Sequence, residues 1–173
     1  HEFKILVTVC ETDQIPKSWV EACNFCDLVV VPSQWCYDAF KGSGVTVPIH
    51  IVHHGIYAGV ATEVRALPKK YDYFLHVSGS LTFAARKGTT KLLRAYKTLT
   101  ETHNKVPPLW LKMPNTEGVW QVLDSLGLLE YIKLLPDDSL SPFEMYKLCR
   151  EALAVVQPSR AEGFGIVPLE ARS

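Results

Sequence analysis

Two glutamates near the C-terminus stand on either side of a glycine-rich turn, with seven residues between them. Residues 158–171 have the sequence P-S-R-A-E-G-F-G-I-V-P-L-E-A, with Glu162 before the turn and Glu170 after it. A carboxylate accepts two hydroxyl hydrogen bonds at once, so one glutamate can hold sugar hydroxyls and the other ribose hydroxyls, with phosphates between them. This spacing predicts a site for a phosphorylated, hydroxyl-rich ligand.

The elements around this motif must bring it to the edge of a sheet. The apolar run at 152–156 predicts a parallel strand, covered on both faces, that ends just before the loop. Ligands of open α/β sheets bind outside the carboxyl ends of such strands. Gly163 and Gly165 have no Cβ, which predicts a close approach of the backbone to a ligand. Pro168 suits a first helical turn, whose free N–H groups and dipole favour an anion.

A second predicted strand end carries two adjacent cations. Residues 73–80, Y-F-L-H-V-S-G-S, have the pattern of a strand that ends in small residues, Gly79 among them. Arg86 and Lys87 follow before a predicted helix, where they would neutralise a diphosphate that the glutamates alone would repel. The stretch lacks the spacing of a P-loop. The alternative for all four charged side chains is an ordinary solvated surface, with the helix dipole favouring the second glutamate.

The charges of the chain balance, with 18 lysines and arginines against 18 aspartates and glutamates. This balance, with 47% hydrophobic residues, predicts a folded domain without a basic surface for nucleic acid. No apolar run approaches the ~18 residues that span a bilayer, and no basic amphipathic helix is evident.

The five cysteines are an odd number and mostly occupy apolar patterns, which predicts reduced thiols and a cytoplasmic protein. Cys23 and Cys26 form a C-x-x-C pair that a predicted helix places one turn apart. No second pair or histidine partner follows at zinc spacing. Packing is therefore favoured for this pair over redox chemistry or metal binding, and we expect no metal and no cofactor.

Alternating patterns along the chain predict an α/β fold, a Rossmann-like parallel sheet with flanking helices. We expect a first domain at 1–58, a linker at 59–70 where glycine, proline and a lysine pair interrupt the pattern, and a second domain at 71–173. Ser141 and Glu144 form a capping box, and Gly127 marks a helix end. The predicted strands lie at about 4–9, 27–32, 48–53, 73–78, 109–113, 131–135 and 152–157, and the helices at about 16–25, 34–42, 88–102, 117–126, 141–150 and from 166 onward.

These motifs resemble the donor-site signature of retaining glycosyltransferases of family four (group 1), which have the GT-B fold of two facing Rossmann-like domains. The similar segments are R-K-G at 86–88 and E-G-F-G-I-V-P-L-E-A at 162–171, with V-T-V-C-E-T-D-Q-I-P at 7–16, V-V-V-P-S at 29–33 and H-H-G-I at 53–56. The resemblance covers nearly the whole chain in order, and the glutamate motif is its most specific part. It implies transfer of a sugar from a nucleotide-diphosphate donor to an acceptor with retention of configuration.

The resemblance also implies a role for each matched residue. Arg86 and Lys87 would hold the diphosphate, Glu162 would act on the donor sugar as the catalytic residue, and Glu170 would bind the ribose. The other donor-binding residues would be Gly79 and the turn formed by Gly163, Phe164 and Gly165.

One position departs from the family pattern. Many members carry an arginine directly after the glycine of the first strand of the C-terminal domain, where this chain has Ser80 after Gly79. Fewer cations would then hold the diphosphate, and Lys87 is the better candidate of the basic pair. His54 would border the same site, unless the two adjacent histidines simply end a strand.

The resemblance further implies a fragment. A complete enzyme has two domains of roughly 150–200 residues each, and this chain has 173 residues. We expect the end of the N-terminal domain and most of the donor-binding domain, truncated in its last helix. The glycine-rich loop and catalytic histidine of the family would lie outside it. Such a fragment alone would be inactive and would self-associate through uncovered sheet surface.

Two functions remain open. The first is a glycosyltransferase fragment that binds a nucleotide-diphosphate sugar, with a sugar, lipid or protein acceptor and a possible peripheral membrane contact in the full enzyme. The alternative is a non-catalytic nucleotide-binding or assembly module of the same fold. A Rossmann oxidoreductase is disfavoured, because no G-x-G-x-x-G follows the strand that ends near Val77.

Overall fold

The chain forms two compact α/β units. The computed structural model describes residues 2–70, 72–79, 84–113, 117–135 and 140–172. The first unit comprises the residues up to Gly55 together with Ala161–Ile166, and the second comprises Ile56–Arg160 together with the residues from Val167 onward. Each unit contains a parallel sheet with flanking helices, so the predicted fold class is confirmed.

The first unit is built on a three-stranded parallel sheet in the order β1-β2-β3. Its strands are β1 (Ile5–Val7), β2 (Leu28–Val31) and β3 (Ile49–Ile51), and its helices are α1 (Lys17–Asn24) and α2 (Gln34–Gly42). The central strand β2 buries Val29 and Val31 completely, and Phe40 of α2 joins them in one core. Because β2 is short and buried, the residues that follow it are held at the carboxyl edge of the sheet.

The second unit is built on a four-stranded parallel sheet in the order β6-β5-β4-β7. Leu93 and Tyr96 of one helix pack on Leu109 and Leu111 of the sheet, which supplies its largest core. The strands are β4 (Phe74–Val77), β5 (Leu109–Lys112), β6 (Ile132–Leu135) and β7 (Ala154–Val155), and the helices are α3 (Ala58–Arg65), α4 (Ala84–Lys87), α5 (Thr89–Thr102), α6 (Glu117–Ser125), α7 (Pro142–Glu151) and α8 (Ile166–Arg172).

The helix α3 lies in the segment for which the sequence predicts a linker. It has only eight residues, and Gly59 near its start weakens the local helical signal. Its stability comes from packing, because Ala61 and Val64 are buried against Tyr146 of α7. A short helix held by tertiary contacts leaves little periodicity in the sequence to detect.

The strand β7 is shorter and more exposed than predicted. It has two residues, and among the described residues it pairs with β4 only. The expectation of a strand covered on both faces is wrong in this structure, since Leu153 is 45% exposed and Ala154 is also exposed. An apolar run alone does not distinguish a central strand from an edge strand.

Three local predictions have clear outcomes. The capping box is present: the Glu144 N–H donates to Ser141 Oγ, and the Ser141 N–H donates to a Glu144 carboxylate oxygen at 2.7 Å. The side-chain and backbone hydrogen bonds from Ser141 lower the pKa of Glu144. Gly127 follows α6 with φ of +65°, as a glycine helix end requires.

The prediction that one helix carries both cysteines of the C-x-x-C pair is corrected. Cys23 is buried in α1, but Cys26 lies beyond the end of that helix.

Candidate functional site

The turn that follows Glu162 is fixed inside the first unit by Gly163. The carbonyl of Gly163 accepts a hydrogen bond from Ser33 Oγ and lies 3.3 Å from Cys36 Sγ. A Cβ at Gly163 would overlap the side chain of Val9 and the carbonyl of Cys10. The missing side chain is therefore needed for packing against the protein itself, in addition to any approach to a ligand.

The residues that contact Gly163 are held in place by their own hydrogen bonds and burial. Ser33 is the N-cap of α2, and its Oγ accepts the Cys36 N–H at 3.2 Å. Cys36 and Cys10 are both buried, and burial is the main cause that raises the pKa of Cys10 to about 11. A protonated, buried thiol packs as a small apolar group and does not react as a nucleophile. These residues of the first unit therefore hold the turn in a fixed position.

Phe164 is held by two histidines. Its ring lies 5.9 Å from that of His53 in a tilted arrangement and 5.1 Å from that of His54 edge-to-face. His53 Nδ1 lies 2.8 Å from the Pro32 carbonyl oxygen, which fixes its ring at the end of β2. The next residue, Gly165, has φ of +81°, a conformation that favours glycine. Both histidines of the H-H-G-I segment thus have a structural role beside Phe164.

Glu162 itself is partly buried and precedes this fixed turn. Its backbone neighbour Gly163 cannot shift without breaking the contacts to Val9, Cys10 and Ser33. The backbone next to Glu162 is therefore constrained by packing that the sequence did not reveal.

The basic pair lies at a break between two helices of the second unit. Arg86 and Lys87 end α4, and Gly88, with φ of +75°, separates α4 from α5. A Cβ on Gly88 would overlap the backbone carbonyl of Pro158. The Arg160 N–H also donates to the Arg86 carbonyl at 2.8 Å. The backbone that carries the two cations is thus held against the segment that leaves β7.

Lys87 lies near the end of β4. It is partly buried, and its positive charge is one of the causes that lower the pKa of His76, after the larger effect of burial. A charge acts in this way only over a short distance, because screening by solvent weakens it beyond about 10 Å. The ammonium group is therefore within electrostatic range of His76, the penultimate residue of β4.

A buried polar network supports this edge. His76 is fully buried, with Nδ1 2.8 Å from the Val156 carbonyl and Nε2 2.8 Å from Thr89 Oγ1. The Thr89 and Ser78 hydroxyls are hydrogen-bonded at 3.3 Å. Burial lowers the pKa of His76, so the ring is neutral, and its single proton must be on Nδ1 because a carbonyl can only accept. The network ties the start of α5 to the ends of β4 and β7.

Gln157 extends the sheet beyond β7 with its side chain. Its Nε2 donates to the Val77 carbonyl at 2.9 Å, and the Val77 N–H donates to its Oε1 at 3.3 Å. The amide thus replaces the backbone ladder where the two-residue strand ends. Sequence reasoning missed Gln157, His76 and Thr89, although a histidine within an apolar strand and a glutamine directly after one were visible signals.

The remaining candidates have different surroundings. Gly79 is exposed at the end of the described segment 72–79, and Ser80 lies outside the described residues. Glu170 lies on α8 and lines a cavity with Lys69, Arg150 and other residues. Lys69 precedes β4 and Arg150 precedes β7, whereas Gly79 and Lys87 follow β4. The structure therefore brings Gly79, Arg86 and Lys87 to one edge of the second sheet, and gives Glu170 neighbours from the segments that enter it.

The described ranges contain neither a metal cluster nor a membrane-spanning helix. Across them, no group of three or more histidine, cysteine, aspartate or glutamate side chains is placed to hold a metal ion. Within the same ranges, no helix combines the length and apolar character that crossing a bilayer requires.

Several solved structures of glycosyltransferases share this architecture. The chain matches a point mutant of S. aureus TarM, solved in complex with fondaparinux, α-GlcNAc-glycerol and UDP, with a TM-score of 0.70 and 14% identity over 98% of this chain and 34% of that chain. It matches the pneumococcal O-GlcNAc transferase GtfA, solved with UDP and GlcNAc, with a TM-score of 0.65 and 13% identity over 96% of this chain and 35% of GtfA. The fold is that of part of a GT-B glycosyltransferase. The predicted GT-B architecture is thereby confirmed.

Comparison of the sequence with known proteins gives less information than comparison of the fold. No protein-family model matches the chain. A stretch of 49 residues is 45% identical to uncharacterized protein 356 of Sulfolobus islandicus rod-shaped virus 1, and it covers 28% of this chain and 14% of the viral protein. The chain spans about a third of the length of TarM and of GtfA, and its activity and substrates are therefore proposals.

Proposed function

We propose that this chain is the donor-binding part of a retaining glycosyltransferase of family four and that it binds a nucleotide-diphosphate sugar. In the complete enzyme, the sugar would pass to a sugar, lipid or protein acceptor with retention of configuration. The observation that carries the proposal is the placement of Lys87, partly buried beside the carboxyl end of β4 on a backbone braced against Pro158 and Arg160. A fixed cation at this edge of a parallel sheet suits a diphosphate.

The other residues would share the donor between them. Arg86 would assist Lys87 at the diphosphate, and Gly79 would allow the backbone to approach it. Glu162, on its rigid turn, would act on the transferred sugar, and Glu170 would accept the ribose hydroxyls. We propose that no metal takes part and that the protein works in the cytoplasm, where its free cysteines stay reduced.

Calorimetry with UDP-, GDP- and ADP-sugars would identify the donor. One substitution tests whether Lys87 binds the diphosphate. Lys87→Ala should weaken binding of the preferred nucleoside diphosphate by about 1.5–3 kcal/mol, because a charge-assisted hydrogen bond is lost. Binding of the same nucleoside without phosphate should not change. Lys91→Ala, which removes an exposed lysine from α5, is the matched control.

The result can go against the proposal in two ways. If folded Lys87→Ala protein binds the diphosphate as tightly as the wild type, Lys87 does not hold the phosphates. If no nucleotide sugar binds the wild type at millimolar concentration, the donor-binding function itself is wrong for this chain.

A further inference from the structure

The start of α5 is anchored by a side chain that points into the protein. Its N-cap residue is Gly88, which has no side chain to accept a helix N–H, although serine, threonine, aspartate and asparagine are preferred at this position. The first residue of the helix, Thr89, is only 2% exposed, and its Oγ1 lies 2.8 Å from Nε2 of the buried His76. The hydrogen bond between Thr89 and His76 therefore holds the helix start in place of a cap.

The hydrogen bonds of His76 have a fixed direction. Its Nδ1 lies 2.8 Å from the Val156 carbonyl oxygen, which can only accept, so Nδ1 carries the single proton of the neutral ring. Nε2 must then accept, and the Thr89 hydroxyl donates to it. A substitution that removes this hydroxyl leaves a buried ring nitrogen without its donor, which costs free energy. Position 89 therefore requires a hydroxyl group for this chain of bonds.

Lys87 lies between contacts that all lead to the segment 156–160. The residues directly before and after Lys87 contact Arg160 and Pro158 through the backbone. The bonds that start at Thr89 pass through the histidine ring and end on the carbonyl of the first residue of the same segment. Of these contacts, the bond from Thr89 is made by a side chain, so a substitution can remove it and leave the backbone contacts in place.

The ring of His76 is also in electrostatic range of Lys87. The charge of Lys87 is one of the causes that lower the pKa of His76, after the larger effect of burial. A ligand that neutralises this charge changes the electrostatic field at the ring, because the low dielectric of the interior screens charges weakly. The histidine can therefore report on what Lys87 binds.

We propose that Thr89 and His76 are positioning residues of the donor site. The hydrogen bonds from Thr89 to His76, and from His76 to the Val156 carbonyl, hold Lys87 where its ammonium group meets the diphosphate. Both positioning residues are buried and act through Lys87 rather than by touching the donor. The inference rests on the proposed function, because it requires that Lys87 binds a diphosphate.

Calorimetry tests this role with whichever of UDP, GDP and ADP the wild type binds most tightly, and with the corresponding nucleoside. Thr89→Val removes the hydroxyl but keeps the shape of the side chain. It should weaken diphosphate binding about three- to tenfold, as expected for one lost hydrogen bond, and leave nucleoside binding unchanged. Thr89→Ser should bind the diphosphate as the wild type does, because it keeps the hydroxyl. Thr90→Val, at the next and exposed position of α5, is the matched control and should have no effect.

A double-mutant cycle separates positioning from a contribution to stability alone. If Thr89 acts through Lys87, Thr89→Val should not weaken diphosphate binding further when Lys87→Ala is already present, so the two effects are not additive. A residue that only stabilises the fold would lower the free energy of unfolding and leave the affinity of the folded chain unchanged.

NMR of the unmodified chain gives an independent measurement, which also carries the test if Thr89→Val does not fold. Saturation with the diphosphate should shift the ring resonances of His76, because the ligand offsets the charge of Lys87. The shift should be lost in Lys87→Ala. The ring of His103, exposed at the other end of α5, should not respond in either protein.

Three results would each overturn the positioning role while the proposed function stands. They are unchanged diphosphate affinity in folded Thr89→Val protein, additive effects of Thr89→Val and Lys87→Ala, and a His76 ring that does not respond to a saturating diphosphate. In each case, weaker binding by Lys87→Ala alone would still support the donor site. If the wild type binds no nucleoside diphosphate, the proposed function and the positioning role are both wrong.

Discussion

The two ends of the E-G-F-G-I-V-P-L-E motif differ in what holds them. The Glu162 end belongs to the first unit, where Gly163 is enclosed by Val9, Cys10 and Ser33 and where packing leaves no room for a side chain. The Glu170 end belongs to the second unit, on the seven-residue helix α8, which has no buried residue among those described. Glu170 instead lines a cavity with Arg65, Lys69, Arg150 and Arg172, and burial raises its pKa. One end of a short motif is thus fixed by close packing, and the other lies among basic residues of other segments, which a linear pattern cannot show.

The largest expected effect is at the packed end. Gly163→Ala should lower the free energy of unfolding by about 3 kcal/mol, because the new methyl group overlaps Val9 and the Cys10 carbonyl. Urea denaturation measures the change. Gly42→Ala is the matched control in the same unit, since a Cβ there meets no atom within 4 Å and lies at the end of a helix. Equal, small effects of the two substitutions would mean that shape does not position this end.

The pH dependence of the free energy of unfolding tests whether buried polar groups, rather than surface charges, stabilise the second sheet. Burial lowers the pKa of His76 below its ordinary value of 6.5, so the unfolded chain binds a proton that the folded chain excludes. The stabilisation is therefore complete above pH 6.5 and is lost as the pH falls below it. The free energy of unfolding should decrease by up to about 1.4 kcal/mol per pH unit between about pH 6.5 and 5.

Two substitutions test whether His76 causes this pH dependence of the free energy of unfolding. His76→Gln, which carries no titrating group, should remove the decrease between pH 6.5 and 5, and His103→Gln, at an exposed position, should preserve it. A slope that survives in folded His76→Gln protein would have to come from another group, and the bracing role of a neutral His76 would be wrong.

The smallest expected effect is at the charged end. Glu170→Gln should change the free energy of unfolding by less than about 1 kcal/mol, and the difference from the wild type should shrink between low and 1 M salt. The loss in Gly163→Ala should not depend on salt, because it is steric. The free energy of unfolding of both variants should be measured at both salt concentrations. A salt-independent effect of Glu170→Gln would contradict the expected difference between the two ends of the motif.

The sequence predicted those features that depend on neighbours along the chain. Parallel sheets, the capping box of Ser141 and Glu144, and the glycine after α6 all follow from local patterns, and the GT-B resemblance from short motifs. It did not predict that Ser33 and Gly163, 130 residues apart, contact each other. Nor did it predict that the Gln157 amide extends the sheet, because a side chain that replaces a backbone ladder has no periodic signature.

The roles of the individual site residues stay predictions. Local patterns predicted the start of α5 at Gly88, directly after Lys87, because a glycine at a helix boundary is visible in the sequence. They could not reveal the neighbours of Glu170, because Arg65 and Lys69 lie at the end of α3 and just after it, whereas Arg150 lies on α7. Charges gathered by tertiary structure cannot be inferred from spacing.

The discontinuity of the first unit has a consequence for how the chain acquires its structure. Residues up to Gly55 are completed by Ala161–Ile166, which are synthesised later and close a loop of more than a hundred residues. At about 5–20 residues per second, the ribosome delivers the closing segment roughly 5–20 s after Gly55. Loop closure costs only about 0.6 kcal/mol per doubling of length, but such non-local contacts slow folding. During synthesis, Ile56–Arg160, the larger part of the second unit, is therefore available to fold before the first unit is complete, and the residues from Val167 onward join it last.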